Sequence, residues 1–209
     1  MSLIAETKRL SHGPVGTQVE KRLRQFKSFD KKAPKEWFSE LCFCLLTANS
    51  KAKTSLAIQA DLGANGFCSA SAADVKKCIV KHKHRFHNNK TAFIVGARNH
   101  LDIKDKISAL LKSSEDQARV WLVKNIKGLG YKEASHFLRN TGCTDLAIVD
   151  RHIINVLVEY GLITRPKTVT KRVYLVIEKK LRLLAQELGM SLAELDLYLW
   201  YMKTGQVLK

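Results

Sequence analysis

Apolar residues recur at intervals of three and four along almost the whole chain. Val15, Val19, Leu23 and Phe26 keep this spacing, and Trp37, Phe38, Leu41, Cys42, Leu45 and Leu46 keep it more strongly. That period lines one face of an α-helix. The same pattern predicts helices over 51–62, 71–80, 88–99, 103–112, 114–126, 131–141, 151–161, 171–188 and 191–203. Ser71-x-x-Asp74, Ser114-x-x-Gln117 and Ser191-x-x-Glu194 are capping-box signals for three of the starts. Gly189 stands where a left-handed residue would close the helix before it. Only TDLAIV, 144–149, reads as extended, and internal repeats and low-complexity runs are absent. The expected fold class is all-α. The apolar, charge-poor stretch 37–62 is followed by a basic loop and then a glycine-flanked turn. This order predicts one domain of two helical subdomains with a boundary near residue 100, the N-terminal helix packing with the C-terminal ones.

Composition adds a partner. The 209 residues hold 36 Lys and Arg against 19 Asp and Glu, a formal charge of +17 with pI near 9.8. The basic residues are spread along the chain, so the folded surface would attract polyanions by counterion release. Nucleic acid is the first expectation, an acidic protein partner or a solubility device the second. No apolar run approaches the ~18–20 residues of a membrane helix, and the N-terminus carries no secretory pattern, so an intracellular protein is expected.

The five cysteines, Cys42, Cys44, Cys68, Cys78 and Cys143, include no C-x-x-C pair. An odd count without a secretory signal fits free thiols. Cys42 and Cys44 lie in the apolar run WFSELCFCLL and read as core. His82, His84 and His87 lie in a basic loop suited to surface or phosphate contacts, and no histidine spacing reads as a metal site.

The stretch KNIKGLGYKEASHFLRN joins two helical patterns at Gly128-Leu129-Gly130. Such a turn is either a plain glycine cap between packed helices, or an anion site at the start of the second helix with Leu129 as its inward plug. Lys127 and Tyr131 flank it. Lys132 sits in the first turn, where the helix dipole disfavours a cation. At an ordinary pKa of about 10.4, roughly one lysine in a few thousand is neutral at pH 7. Partial burial at that helix end would push the proton off and make Lys132 a candidate amine for Schiff-base chemistry. Asp150, in AIVDRH, is either the N-cap of the following helix or a carboxylate that stabilises positive charge on a sugar. Asp145 is a rival carboxylate in a turn-like stretch, and His152 either packs or orients its neighbours.

IKGLGYKEASHFLRN followed by AIVDRHI resembles the helix-hairpin-helix motif and catalytic loop of the DNA glycosylase superfamily. A lysine two residues past GLG resembles the bifunctional members, which join base removal to strand cleavage. WFSELCFCLLTANSKAKTSLAIQADLG, HRFHNNKTAFIVGAR and SLAELDLYLWYMKTGQVLK together resemble the compact archaeal-type 8-oxoguanine DNA glycosylase/AP lyases, over about residues 15–209. Two departures stand out. The usual proline before Asp150 is missing, and nothing after Cys143 could complete a four-cysteine iron–sulfur cluster.

The resemblance implies a DNA-repair enzyme, an N-glycosylase and AP lyase, with a DNA-binding cleft between its subdomains. Lys132 would be the nucleophile and Asp150 the catalytic carboxylate. The hairpin Lys127, Gly128, Leu129, Gly130 and Tyr131 would hold a phosphate, with a monovalent cation on its carbonyls. Asn49 would act as the wedge or touch the opposite base. No cofactor is implied, and the expected partner is double-stranded DNA containing oxidised guanine, bound by a monomer. Reading 8-oxoguanine requires an acceptor aimed at N7–H, since guanine offers an acceptor of its own there. The expected pocket comprises Phe86 on one wall, Trp200 stacking, and Asp196 accepting from the guanine edge. Lys209, carboxylate included, would fold back to line it. Two alternatives stand beside this: the same fold acting on oxidised pyrimidines or other damaged bases, and a non-enzymatic hairpin module that binds DNA.

Overall fold

Every expected helix forms in the computed structural model, which describes residues 2–209. In chain order the helices are α1 (Leu3–Ser11), α2 (Pro14–Lys27), α3 (Pro34–Thr47), α4 (Ala52–Ser69), α5 (Ala72–Lys81) and α6 (His87–Ala97). They continue with α7 (Ile103–Leu111), α8 (Glu115–Asn125), α9 (Tyr131–Asn140), α10 (Arg151–Glu159), α11 (Lys171–Leu188) and α12 (Leu192–Thr204). The three capping serines accept from Asp74, Gln117 and Glu194 N–H at 3.1, 3.0 and 3.1 Å. Gly189 closes α11 in the left-handed region. Helix α1 has no counterpart among the sequence expectations. The pattern over 51–62 runs on into α4, which bends at Gly63 (φ 60°, ψ 175°), a backbone setting that glycine adopts without a Cβ penalty.

The chain forms two compact units. One comprises the N-terminal residues through Asp30 together with Leu138–Lys209, and the other Lys31–Phe137. A division near residue 100 falls inside the second unit; the breaks lie instead where the chain leaves α2 and where it passes along α9.

In the 31–137 unit, α3 is the central element. Its residues from Trp37 to Thr47 are all buried, as befits a helix apolar on every side. It packs against α4, α6 and α7. Cys42 and Cys44 are fully buried here as core residues. Glu40, also buried, accepts from Gln59 Nε2 at 3.3 Å. In the other unit, Leu10, Val15, Val19, Phe26, Leu197 and Tyr198 form a cluster in which α1 and α2 meet α12. Val207 packs on this cluster, and its carbonyl accepts from Arg22 Nη2 at 3.4 Å. The C-terminal segment is therefore docked, not frayed.

No strand forms at 144–149. The segment is extended but unpaired, and side chains of α11 satisfy its backbone. Tyr174 Oη donates to Ala147 O at 2.6 Å and accepts from Val149 N at 3.3 Å, while Glu178 Oε2 accepts from Ala147 N at 3.1 Å. Buried backbone groups need such partners. Among the described residues, no helix is long and apolar enough to cross a membrane.

Candidate active site

The hairpin belongs to the 31–137 unit. Helix α8 ends at buried Ile126, Lys127 is exposed, and Leu129 N–H closes the turn on Ile126 O at 3.2 Å. Gly128 takes φ +96°, and a Cβ there would lie 2.4 Å from Cδ2 of Phe93. Both the backbone setting and the aromatic floor thus demand glycine. Leu129 is buried as the expected plug. Helix α9 then starts at Tyr131 and buries Ala134, Phe137 and Leu138.

On the first turn of α9 the Lys132 side chain is 26% exposed, and its Nζ lies 3.0 Å from Glu133 Oε1. The other carboxylate oxygen of Glu133 accepts from Gly130 N–H at 3.2 Å. One carboxylate therefore ties the amine to the hairpin backbone, a contact that the motif does not disclose although Glu133 stands within it. A second amine carries no local signal in the sequence. Lys90 on α6 is 4% exposed and donates to Leu45 O at 2.6 Å. Burial brings its pKa down to about 8; the negative charge of Glu133 acts against the fall, and the positive charge of Lys132 adds to it.

Asn49 and Phe86 lie in the same unit. Asn49 is exposed just past α3 at φ 60°, a left-handed setting that asparagine tolerates. Arg85 Nη2 donates to its carbonyl at 3.4 Å, and the guanidinium carbon of Arg85 lies 5.2 Å from the ring centre of Phe86, which is 40% exposed. The surface role expected of His84 is corrected by its burial. Its Nε2 bonds Leu46 O at 3.0 Å and its Nδ1 accepts from Phe86 N–H at 3.2 Å, a pattern that requires the neutral ring protonated on Nε2. Burial also lowers its pKa. His84 thus holds the loop that presents Phe86.

Asp150, His152, Asp196, Trp200 and Lys209 belong to the other unit. Asp150 is the N-cap of α10, with Oδ1 accepting from His152 N at 2.8 Å and Ile153 N at 2.9 Å. Among the described residues no hydrogen bond reaches its Oδ2. Tyr174 and Glu178 brace the preceding loop where the missing proline would stand. Asp145, the rival carboxylate, is mostly exposed and paired with Arg182. The His152 ring meets that of Trp200 at 4.6 Å and 66°. The buried indole N–H of Trp200 finds no acceptor among the described residues.

Asp196 differs from its expected place as an open acceptor for a base edge. It is 7% exposed and ion-paired with Arg139, whose guanidinium also reaches Asn140 and the Phe26 ring. Burial raises its pKa to about 6, Arg139 works against the rise, and nearby Asp150 adds to it. A carboxylate already engaged this way has little to offer a ligand. Lys209 is half-buried at the end of the docked C-terminal segment.

The family model described as 8-oxoguanine DNA glycosylase, with a helix-hairpin-helix, matches residues 19–190. The 8-oxoguanine DNA glycosylase/AP lyase of Methanocaldococcus jannaschii is 45% identical over 100% of both chains. That of Korarchaeum cryptofilum is 42% identical over 99% of this chain and 98% of its own. Among solved structures, the Methanocaldococcus jannaschii 8-oxoguanine glycosylase/lyase in complex with a 15mer DNA containing 8-oxoguanine superposes with a TM-score of 0.96 at 44% identity, covering 100% of each chain. The 8-oxoguanine DNA glycosylase of Thermotoga maritima gives 0.91 at 38% identity, over 99% of this chain and 98% of the other.

Proposed function

The chain belongs to the 8-oxoguanine DNA glycosylase family, and from that premise we propose how its own residues carry the reaction. It is a DNA-repair glycosylase/AP lyase that acts on 8-oxoguanine in duplex DNA. The Lys132 amine attacks C1′ of the damaged nucleotide. The N–C1′ bond forms as the glycosidic bond breaks, and the base leaves with the electron pair and takes up a proton. Opening of the sugar ring then breaks the C1′–O4′ bond: O4′ takes up a proton, the nitrogen gives one up, and the resulting Schiff base acidifies C2′–H. Loss of that proton expels the 3′ phosphate by β-elimination.

Before attack the amine must shed a proton, and Glu133 Oε1, at 3.0 Å, is placed to accept it. Positive charge grows on the sugar as the base departs, and the Oδ2 of Asp150, which accepts no hydrogen bond among the described residues, supplies a compensating anion. The hairpin 127–131 holds a backbone phosphate, and Asn49, on its exposed left-handed turn, fills the gap left in the duplex. Phe86 in the 31–137 unit, and Trp200 with the Lys209 segment in the other, are the residues assigned to the extruded base. Asp196 instead keeps Arg139 in place.

The observation that carries this reading is Lys132, partly exposed on the first turn of α9 and tied to the glycine hairpin through Glu133. Borohydride trapping tests it. The wild type should become covalently joined to a duplex bearing 8-oxoguanine, and Lys132→Gln should not. Trapping by that variant would remove Lys132 from the role. A wild type that traps only on an oxidised pyrimidine would change the substrate, and one that binds duplex yet never traps would be a scaffold.

A further inference from the structure

Away from the hairpin, α4 and α5 bring together a set of donors that the reaction does not use. Asp61 lies on α4, Cys78 on the last turn of α5, and His82 caps that helix. His82 Nε2 is 2.9 Å from Asp61 Oδ2, Cys78 Sγ is 3.6 Å from the same oxygen, and all three atoms fall within 4.8 Å of one another. We propose that Asp61, Cys78 and His82 bind a zinc ion, or a divalent cation of the same class, that clamps α4 to α5 and takes water as its fourth ligand.

The geometry supports this in three ways. Cys78 and His82 are four residues apart, so one helical face presents both donors as a chelating pair. The third donor comes from a neighbouring helix that packs on α5, so a bound ion would cross-link two elements. A tetrahedral zinc with bonds of about 2.0–2.3 Å holds its ligand atoms roughly 3.2–3.8 Å apart, close enough to the spacing here that small side-chain rotations suffice. A thiolate, an imidazole and a carboxylate suit zinc or cobalt; magnesium and calcium prefer oxygen ligands throughout.

Lys81 is the resident competitor. Its Nζ lies 2.9 Å from the same Asp61 oxygen, but its side chain is 67% exposed and can swing into water. The Cys78 thiol donates to Asp61. Loading therefore releases one proton from sulfur to solvent and leaves the thiolate on the metal. His82 binds through Nε2 as the neutral ring, and thiolate and carboxylate together balance the charge of the ion. Asp61 precedes the bend of α4 at Gly63, and His82 opens the loop that leads through His84 to Phe86. The clamp would fix both. The inference stands on the 31–137 unit alone and does not depend on the catalytic reading.

The test uses the full chain, first stripped of metal. Titration with cobalt(II) should raise a thiolate-to-cobalt charge-transfer band that saturates at one ion per chain and vanishes when zinc is added. Cys78→Ser should lack the band, which assigns it to this thiol. Asp61→Asn and His82→Gln should each weaken cobalt binding at least about tenfold. Lys81→Ala should tighten it, an effect that loss of folding could not mimic. Zinc should raise the thermal midpoint of the wild type by several degrees and leave that of Cys78→Ser unmoved. Unchanged helicity without metal, and unchanged trapping on 8-oxoguanine duplex, would show that the variants fold. The absence of a band in the wild type, an equal band in Cys78→Ser, or equal zinc shifts in wild type and variants would each overturn the proposal.

Discussion

Glu133 is the residue on which the proposed nucleophile, the hairpin and a buried amine converge. Its two oxygens reach the Lys132 amine and the Gly130 amide, and its charge acts on Lys90. Glu133→Gln keeps an acceptor for Gly130 and removes the proposed base. We expect the single-turnover rate of base removal to fall about 100-fold, with the denaturation midpoint unmoved; an unchanged rate would reduce Glu133 to a helix cap. Lys90 gives a pH test of different sign. Its folded pKa of about 8 lies below the ordinary 10.5. Between those values the unfolded chain holds a proton that the folded chain does not, so stability rises with pH across that window. The cost is complete below pH 8. Against Lys90→Met, the wild type should gain about 2 kcal/mol of relative stability from pH 8 to 10.5 in urea titrations, a figure reduced for partial solvent screening. At this scale the sequence singles out Lys132 and Asp150 as candidates, because a glycine hairpin and an apolar run point at them. Lys90 stayed hidden because nothing local marks a lysine as buried, and His84 because its two hydrogen-bond partners were unknown. The pairing of Asp196 is illegible for a related reason: its partner Arg139 lies 57 positions away.

Helix boundaries were the most legible feature at the scale of elements. Ser71, Ser114 and Ser191 each accept from the expected amide, a local signal that needs no tertiary knowledge. The bend in α4 was not legible, because Gly63 interrupts a helical pattern without a proline or a cap. Nor was the way the 144–149 segment hangs from Tyr174 and Glu178, which lie on α11. The GLG turn gives the sharpest prediction here. Gly128→Ala forces a side chain into the left-handed region and onto the Phe93 ring. It should destabilise the protein by about 2–3 kcal/mol, read by chemical denaturation. Gly63→Ala, with nothing within 4 Å of its Cβ, carries the backbone strain alone and should cost less.

For the whole molecule, the excess of 36 basic over 19 acidic residues makes a quantitative statement. If six or more phosphates are neutralised, affinity for undamaged duplex should drop at least about 10³-fold between roughly 50 and 200 mM salt. A shallow dependence in filter-binding or anisotropy titrations would mean that the charge serves solubility instead. The all-α class was readable from periodicity, whereas the division into units was not. The expected packing of the N-terminal helix with the C-terminal ones is found, residues 2–30 belonging with Leu138–Lys209, but periodicity reports which face of a helix is covered and not where the chain passes from one unit to the other. That arrangement bears on vectorial synthesis. On a ribosome, α1 and α2 emerge early yet must wait for α12 before their cluster can close. The Lys31–Phe137 unit has no such debt and can collapse while the remainder is still being translated.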